Sequence, residues 1–91
     1  MFKRKPKKRL VHYFFHAQRR AKHRYGIRLT PQKWEAMNEM VRQQQGLFLK
    51  RESHNRTHWL LEDQFIVVYE SSRGGIVTFL PPEAIYNYCG G

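Results

Sequence analysis

The chain has 91 residues and a formal net charge of +10, from 17 Lys and Arg against seven Asp and Glu. This length fits one small domain and excludes a multi-domain enzyme or a large cofactor fold. Hydrophobic residues make up 41% of the chain, which is too high a share for a disordered basic tail. The single cysteine, Cys89, excludes an internal disulfide framework and agrees with a reducing, cytoplasmic location.

The basic residues are concentrated in the first third of the sequence. Residues 1–34 hold 12 of the 17 bases and no acid, since the first carboxylate is Glu35. The other 57 residues carry a net charge of −2. An acid-free basic segment favours a polyanion through counterion release and long-range attraction. We therefore predict RNA as the partner, with the ribosome or a tRNA as candidates, and an anionic membrane surface or an acidic protein as alternatives.

Residues 1–9 form a charge run with a proline, which predicts a flexible basic arm before a single RNA-directed domain over residues 10–91. Apolar residues at spacings of three and four predict a helix from Lys8 to Arg24. Apolar runs in the sequence reach only about five residues, so we predict no membrane span.

A second helix is predicted after Thr30, a capping residue followed by proline at the first helical position. Gly46 is expected to end it. The hydrophobic period then changes to two, and Glu62-Asp63 and the turn at residues 71–75 separate short apolar runs. The predicted strands cover residues 47–52, 56–61, 64–70 and 76–80. These patterns predict an α+β fold, with two N-terminal helices packed on one face of a four-stranded antiparallel meander, and a short helical turn after Pro82.

The first predicted helix carries a polar stripe of His12, His16, Arg19 or Arg20, and His23 or Arg24 at steps of about four residues. This pattern indicates phosphate binding, with His16 as a general acid or base because histidine titrates near neutral pH. The alternative is a solvated polar helix face. Neither an HExxH motif nor a carboxylate accompanies the histidines, so we predict no metal site, and no cofactor motif is present.

A second polar cluster covers the first strand pair and its turn. Its members are Lys50, Arg51, His54, Arg56 and His58. Metal-free RNA cleavage needs a general base, a general acid and cations on the phosphorane, and these residue types supply all three. Strand alternation places Arg56 and His58 on one sheet face and Thr57 and Trp59 on the other. Thr78 can bind a phosphate if it shares the face of Arg56, whereas the alternative for the whole cluster is a polar hairpin loop.

Aromatic residues outside these clusters divide into core and surface candidates. We expect Trp34 and Trp59 to lie in the core, and Tyr86 and Tyr88 to be the better candidates for stacking on bases. Arg73, in a glycine-rich turn, is expected to be exposed and to act only through its charge.

Three stretches of sequence resemble the small metal-independent ribonucleases, the group that includes barnase, the ribonuclease colicins and the RelE-type toxins. They are His16-x3-Arg20-x3-Arg24-Tyr25-Gly26-Ile27, Lys50-Arg51-Glu52-Ser53 with Arg56, and the closing run from Ile66 to Pro81. The chain also resembles small bacteriophage proteins. The resemblance implies a toxin-like hydrolase, a metal-independent endoribonuclease that cleaves RNA through the 2′-hydroxyl.

Carried over to this chain, the resemblance implies that His16 or His54 is the base or acid and that Arg20, Arg51 and Arg56 hold the phosphate, with Thr78 as a hydrogen-bonding helper. Together with the two polar clusters, this gives a predicted catalytic set and a predicted RNA-binding set. The catalytic set is His16, His54 and Arg56, and the RNA-binding set is Arg20, Arg24, Lys50, Arg51, His58 and Thr78. Two alternatives stay open: a non-catalytic nucleic-acid or ribonucleoprotein binder, and a phage-type protein that inhibits a host enzyme. An acidic protein inhibitor is a further candidate partner.

Overall fold

The computed structural model describes residues 8–88, with side chains from residue 12 onward. The elements are α1 (Lys8–Tyr25), α2 (Pro31–Arg42), β1 (Leu47–Arg51), β2 (Arg56–Leu61), β3 (Phe65–Glu70), β4 (Gly75–Leu80) and a 3₁₀ helix (Pro82–Asn87). The strands form one antiparallel sheet in the order β1-β2-β3-β4, which confirms the predicted α+β meander. Of the predicted arm, residues 1–7 lie outside the described residues, as does Cys89, while Lys8 and Arg9 belong to α1.

Helix α1 ends where its sequence predicts. Gly26 takes the left-handed conformation with φ 69°, which a side chain rarely adopts, and its N–H donates to the Lys22 carbonyl at 2.9 Å. The buried stripe of α1 is Phe14, Ala17 and Ala21. The helix therefore packs through small residues that allow close approach to the sheet.

Helix α2 begins as predicted but ends earlier. The Thr30 hydroxyl accepts the Lys33 N–H at 3.1 Å, as a helix cap does. The last helical residue is Arg42, because Gln44 takes the left-handed conformation with φ 55° and closes the helix in place of a glycine.

The end of α2 has the hydrogen bonds of a Schellman motif. Gln44 donates its N–H to the Val41 carbonyl, and Gln45 donates to the Met40 carbonyl at 2.8 Å. Gly46 serves a different purpose from the one predicted. A Cβ atom at this position would lie 2.9 Å from the Leu60 carbonyl oxygen, so only glycine fits where the chain enters the sheet.

The β2–β3 hairpin turns through Glu62, Asp63 and Gln64, because Leu61 pairs with Phe65. Glu62 and Asp63 both have positive φ, 54° and 59°, which is the backbone of a type I′ turn and matches the twist of the strands. Two β-bulges, in β1 between Phe48 and Lys50 and at the β3–β4 pairing, bend the outer strands.

Both helices cover the same face of the sheet, as the sequence predicts. The core between the layers is formed by Phe14, Ala17, Ala21, Leu29, Trp34, Met37, Val41, Leu61, Phe65, Val67, Tyr69, Ile76 and Phe79. Trp34 is buried and donates its indole N–H to the Ile76 carbonyl at 3.0 Å, which confirms its placement in the core. Trp59 is half-buried and packs against this core.

The other sheet face is apolar at its centre, where Ile66 and Val68 are buried. The C-terminal 3₁₀ helix contacts β3 and buries Ala84. The tail therefore covers part of the face that the two helices leave open. Within residues 8–88, no helix is long and apolar enough to cross a membrane.

Candidate nucleic-acid interface

Strand pairing brings three of the predicted site residues into one row across the sheet. Lys50 pairs with His58, His58 with Val68, and Val68 with Thr78. Residues paired in this way point to the same face. Thr78 therefore shares the face of His58 and, by alternation along β2, of Arg56.

The opposite, helix-covered face takes the alternating residues of β2. Thr57 pairs with Tyr69 and Trp59 with Val67, and both partners belong to the core between the layers. The predicted alternation of β2 is thus confirmed. Arg51 pairs with Thr57, so its side chain and that of Arg56 leave the sheet on opposite faces. The Arg51 guanidinium donates to the His54 carbonyl at 3.0 Å and stays close to the hairpin turn.

His58 is held by two partners that the sequence did not reveal. Its Nε2 lies 2.8 Å from Oε1 of Glu52, and its Nδ1 lies 2.6 Å from the hydroxyl of Tyr88. A carboxylate only accepts, so Nε2 carries the proton, and in the neutral ring Nδ1 accepts the Tyr88 O–H. The residue is 9% exposed and both ring nitrogens are occupied. His58 is therefore not available as an unpartnered phosphate ligand.

Hydrogen bonding from His58 lowers the pKa of Glu52 below its ordinary value of 4.5, with nearby Arg56 and Lys50 acting in the same direction. The only sequence signal for this pairing was the position of Glu52 beside the β1–β2 turn, directly after the strand next to that of His58. Tyr88 carried no such signal, because its contact depends on how the C-terminal tail folds back over the sheet.

Arg56 is engaged in an ion pair. Its Nε lies 2.8 Å from Oε1 of Glu70, and the Ser72 hydroxyl donates to the other carboxylate oxygen at 2.8 Å. Burial raises the pKa of Glu70, but the hydrogen bonds from Ser72 and Arg56 outweigh it, so the net pKa is lowered. The charge of Arg56 is thus matched within the protein.

Arg73 does more than the sequence predicted. Its Nε lies 3.2 Å from the Tyr13 hydroxyl, its guanidinium carbon lies 5.3 Å from the centre of the Tyr13 ring, and Glu70 is 3.9 Å away. The expectation of a merely exposed charge was wrong. Arg73 joins the β3–β4 turn to α1 through a cation–π contact.

His16 projects from α1 on the side away from the buried stripe, and it is half-buried. Burial lowers its pKa below 6.5, and the positive charges of Arg20 and Arg19 lower it further. Burial is the main cause of this lowered pKa, and the cations along α1 add to it. Both causes favour the uncharged form of the His16 ring.

Arg20 and Arg24 lie near the free edge of β4. With His23 they line a depression of about 410 Å³, closed on its other side by Pro81, Pro82 and Glu83. The Arg24 guanidinium donates to the Phe79 carbonyl at 2.9 Å, which ties α1 to this edge. Arg20 is half-buried, and no carboxylate lies within 4.0 Å of it among the described residues.

The predicted catalytic residues stand on three different elements. His16 is on α1, Arg56 is on β2, and His54 is exposed in the turn between β1 and β2. Across residues 12–88, no hydrogen bond or ion pair joins any two of them. They do not form one connected cluster.

The cations of the described residues divide into two groups. Lys33, Arg42, Arg56 and Arg73 each have a carboxylate within 4.0 Å. The other seven cations from residue 12 onward have none. They are Arg19, Arg20, Lys22 and Arg24 on α1, Arg28 in the α1–α2 loop, and Lys50 and Arg51 on β1. Unmatched positive charge is therefore concentrated on α1 and the loop that follows it.

Comparisons with known proteins found no match. No protein-family description, no curated protein and no solved structure is significantly similar to this chain.

Proposed function

We propose that this protein binds RNA through the cationic surface of α1. The observation that carries the proposal is the contrast between the helix and the rest of the described chain. The α1 cations from residue 12 onward lack carboxylate partners within 4.0 Å, whereas four of the seven described cations outside α1 are paired. A surface with unmatched positive charge binds phosphates by releasing their condensed counterions, and does so most strongly at low salt.

An RNA partner also agrees with the cytoplasmic location that the sequence suggests.

The open sheet face is less suited to bind phosphate. On this face Glu70 neutralises Arg56, and both ring nitrogens of His58 are hydrogen bonded. Of the residues predicted to bind phosphate there, Lys50 and Thr78 have no such partner. Binding a phosphate at Arg56 would require its ion pair to open. The surface of α1 needs no such rearrangement.

The test is a fluorescence anisotropy titration of labelled RNA at salt concentrations between about 50 and about 200 mM. We expect log K to fall linearly as log salt rises, with a slope of about −0.7 for each contacted phosphate of a single strand. Binding that is absent at low salt would overturn the proposal and favour a protein partner, such as a host enzyme or an acidic inhibitor.

A metal-independent endoribonuclease is the second candidate, and one observation favours it. Glu52, His58 and Tyr88 form a chain of carboxylate, imidazole and phenol joined by two short hydrogen bonds, on the sheet face that carries Lys50. Such a chain can move a proton to or from the outermost group, here the Tyr88 hydroxyl. This chain of groups is a second place to look for acid–base chemistry, beside the predicted set of His16, His54 and Arg56, which no hydrogen bond connects.

Incubation with tRNA in EDTA tests this candidate. Cleavage through the 2′-hydroxyl leaves fragments that end in a 2′,3′-cyclic phosphate. We expect Tyr88→Phe to abolish these fragments if the chain of groups is the active site, and His16→Ala to abolish them if the resemblance assigns the base correctly. If the unmodified protein binds the RNA but leaves it intact, the function is binding and not cleavage.

A further inference from the structure

An open groove runs along the flank of α1 that faces the α1–α2 loop. It has a volume of about 590 Å³, within the range of about 300–1,000 Å³ typical of small-molecule sites. Its walls are formed by Phe15, Gln18, Arg19 and Lys22 from α1 and by Gly26, Ile27 and Arg28 from the loop. No sequence motif assigns a role to this combination of residues.

The loop wall is fixed in place. The left-handed Gly26 turns the chain back along α1, and the Gln18 side-chain amide donates to the Leu29 carbonyl at 3.0 Å. Leu29 itself is fully buried in the core. The groove is thus a preformed feature of the fold, so binding of a ligand would not carry the entropic cost of ordering the loop.

Phe15 presents an aromatic ring at the groove. It is 52% exposed, which is unusual for a side chain of this size. Its ring centre lies 5.4 Å from that of Phe14, and Phe14 is packed at 5.4 Å against Trp34 in the core. Phe15 is therefore an exposed ring supported by Phe14, which is itself packed against Trp34 in the core.

Three cations line the same groove as this ring. Arg19 and Lys22 lie on α1 and Arg28 lies on the loop, and all three are exposed. Among the described residues, no carboxylate lies within 4.0 Å of any of them. An exposed ring and three unpaired cations in one groove match a nucleotide, whose base stacks while its phosphates are neutralised.

We infer that this groove binds an unpaired nucleotide of a single-stranded nucleic acid, with its base stacked on Phe15 and the flanking phosphates held by Arg19, Lys22 and Arg28. The inference rests on the proposed function and narrows its ligand from RNA in general to unstacked single strands. A base inside a duplex is already stacked on its neighbours, so its face is not available to Phe15.

The experiment compares Phe15→Ala with Phe48→Ala by anisotropy, using labelled oligouridylate, the same strand annealed to oligoadenylate, and an abasic strand of equal length. Phe48 is the matched control, because it is 48% exposed but lies on β1 against Trp59. Both rings are exposed enough for alanine to leave the core intact, which the melting temperature and circular dichroism spectrum verify.

We expect Phe15→Ala to weaken binding of oligouridylate by about 5-fold to 150-fold, the range for loss of one stacked base. Binding of the duplex and of the abasic strand should change by less than about twofold. Phe15→Trp keeps an aromatic ring at this position, so it should bind oligouridylate about as tightly as the unmodified protein. Repeating the titration with the deoxy strand distinguishes RNA from DNA as the ligand. If Phe15→Ala loses the same affinity for both strands, the site binds single strands of either sugar. If it loses affinity only for the ribose strand, the site is specific for RNA.

Two results would overturn the inference. If Phe15→Ala binds oligouridylate as tightly as Phe48→Ala does, no base stacks on the ring, although the proposed function stands as long as salt-dependent binding persists. If Phe15→Ala weakens the duplex and the single strand equally, Phe15 supports the surface rather than a base. Failure of the unmodified protein to bind any of the three probes at low salt would remove the proposed function as well.

Discussion

The hydroxyl of Tyr88 lies 2.6 Å from Nδ1 of His58, and this contact ties the end of the C-terminal 3₁₀ helix to β2. The two rings also meet edge to face, with their centres 5.7 Å apart. His58 in turn is fixed by Glu52 at the start of the β1–β2 turn. One buried imidazole thus connects the tail to a hairpin that is distant from it in sequence.

Replacing Tyr88 by Phe should destabilise the protein by about 1 kcal/mol, because Nδ1 of His58 loses its hydrogen-bond partner in a poorly hydrated position. Urea denaturation measures this difference. Tyr86→Phe is the matched control, since the Tyr86 side chain is 78% exposed, and it should change stability by less than about 0.5 kcal/mol. Equal effects of the two variants would show that the Tyr88 hydroxyl contributes nothing.

Glu70 is predicted to make stability depend on pH in the acid range. Its pKa is depressed in the folded state, so its contribution is present above its ordinary value of 4.5 and is lost as the pH falls through the folded-state pKa. Glu70→Gln should lower the free energy of unfolding by about 1–2 kcal/mol at neutral pH. The value is kept this small because Arg56 is partly exposed and solvent screens its charge. The difference between the two proteins should then shrink in acid.

Denaturation curves measured from neutral to acid pH test this prediction. Glu83→Gln provides the control, because Glu83 is exposed and belongs to none of the ion pairs of the described residues. A stability difference between Glu70→Gln and the unmodified protein that is constant across this pH range would contradict the assignment.

The pKa of His16 should rise when a polyanion binds to α1. Its pKa is lowered by burial and by the neighbouring arginines, and bound phosphates would offset that repulsion and raise the pKa. Binding is then expected to tighten as the pH falls between about 8 and 5. A proton NMR titration of the His16 ring, with and without RNA, measures the shift, and His54→Gln should leave it unaltered.

The same group has a consequence for stability without RNA. Because the folded protein disfavours protonation of His16, stability decreases as the pH falls below 6.5 toward the folded-state pKa, and does not decrease further below it. His16→Gln should remove this part of the pH dependence. An unchanged profile in the variant would show that His16 is not the group responsible.

Residues 1–7 contribute four bases, Lys3, Arg4, Lys5 and Lys7, to the charge of the chain. Deleting them should weaken RNA binding and reduce the salt slope by about 0.7 for each phosphate that these bases neutralise. The melting temperature should stay nearly constant, because among the residues whose side chains the structure describes the core starts at Phe14. A large fall in the melting temperature would place these residues in the folded structure.

Much of the fold follows from local patterns in the sequence. Thr30-Pro31 predicts the start of α2 because a hydroxyl cap and a proline at the first helical position act within one turn. The end of α2 is less predictable. Gly46 is the obvious terminator, yet Gln44 takes the left-handed position, and Gly46 is required by its distance to Leu60 across the hairpin, which no local pattern encodes.

The candidate site was less predictable because it depends on contacts between distant residues. Alternation along β2 predicted that Arg56 and His58 share a face, but their partners Glu70 and Tyr88 are 14 and 30 residues away. Those partners occupy the groups that the sequence offers as catalytic or phosphate-binding residues. The spacing of Phe15 groups it with the apolar stripe of α1, although its ring is exposed.

Two double variants in the salt-dependent RNA titration test the assignment of RNA binding to α1 most directly. Arg19→Gln/Arg20→Gln removes two charges from α1, and Lys50→Gln/Arg51→Gln removes two adjacent charges from β1. All four cations lack a carboxylate partner within 4.0 Å among the described residues, so each variant removes two charges that no carboxylate neutralises.

If α1 is the interface, the helix variant lowers the affinity and reduces the salt slope by about 1.4, while the strand variant behaves like the unmodified protein. A strand variant that loses as much affinity and slope as the helix variant, or more, would contradict the assignment of RNA binding to α1.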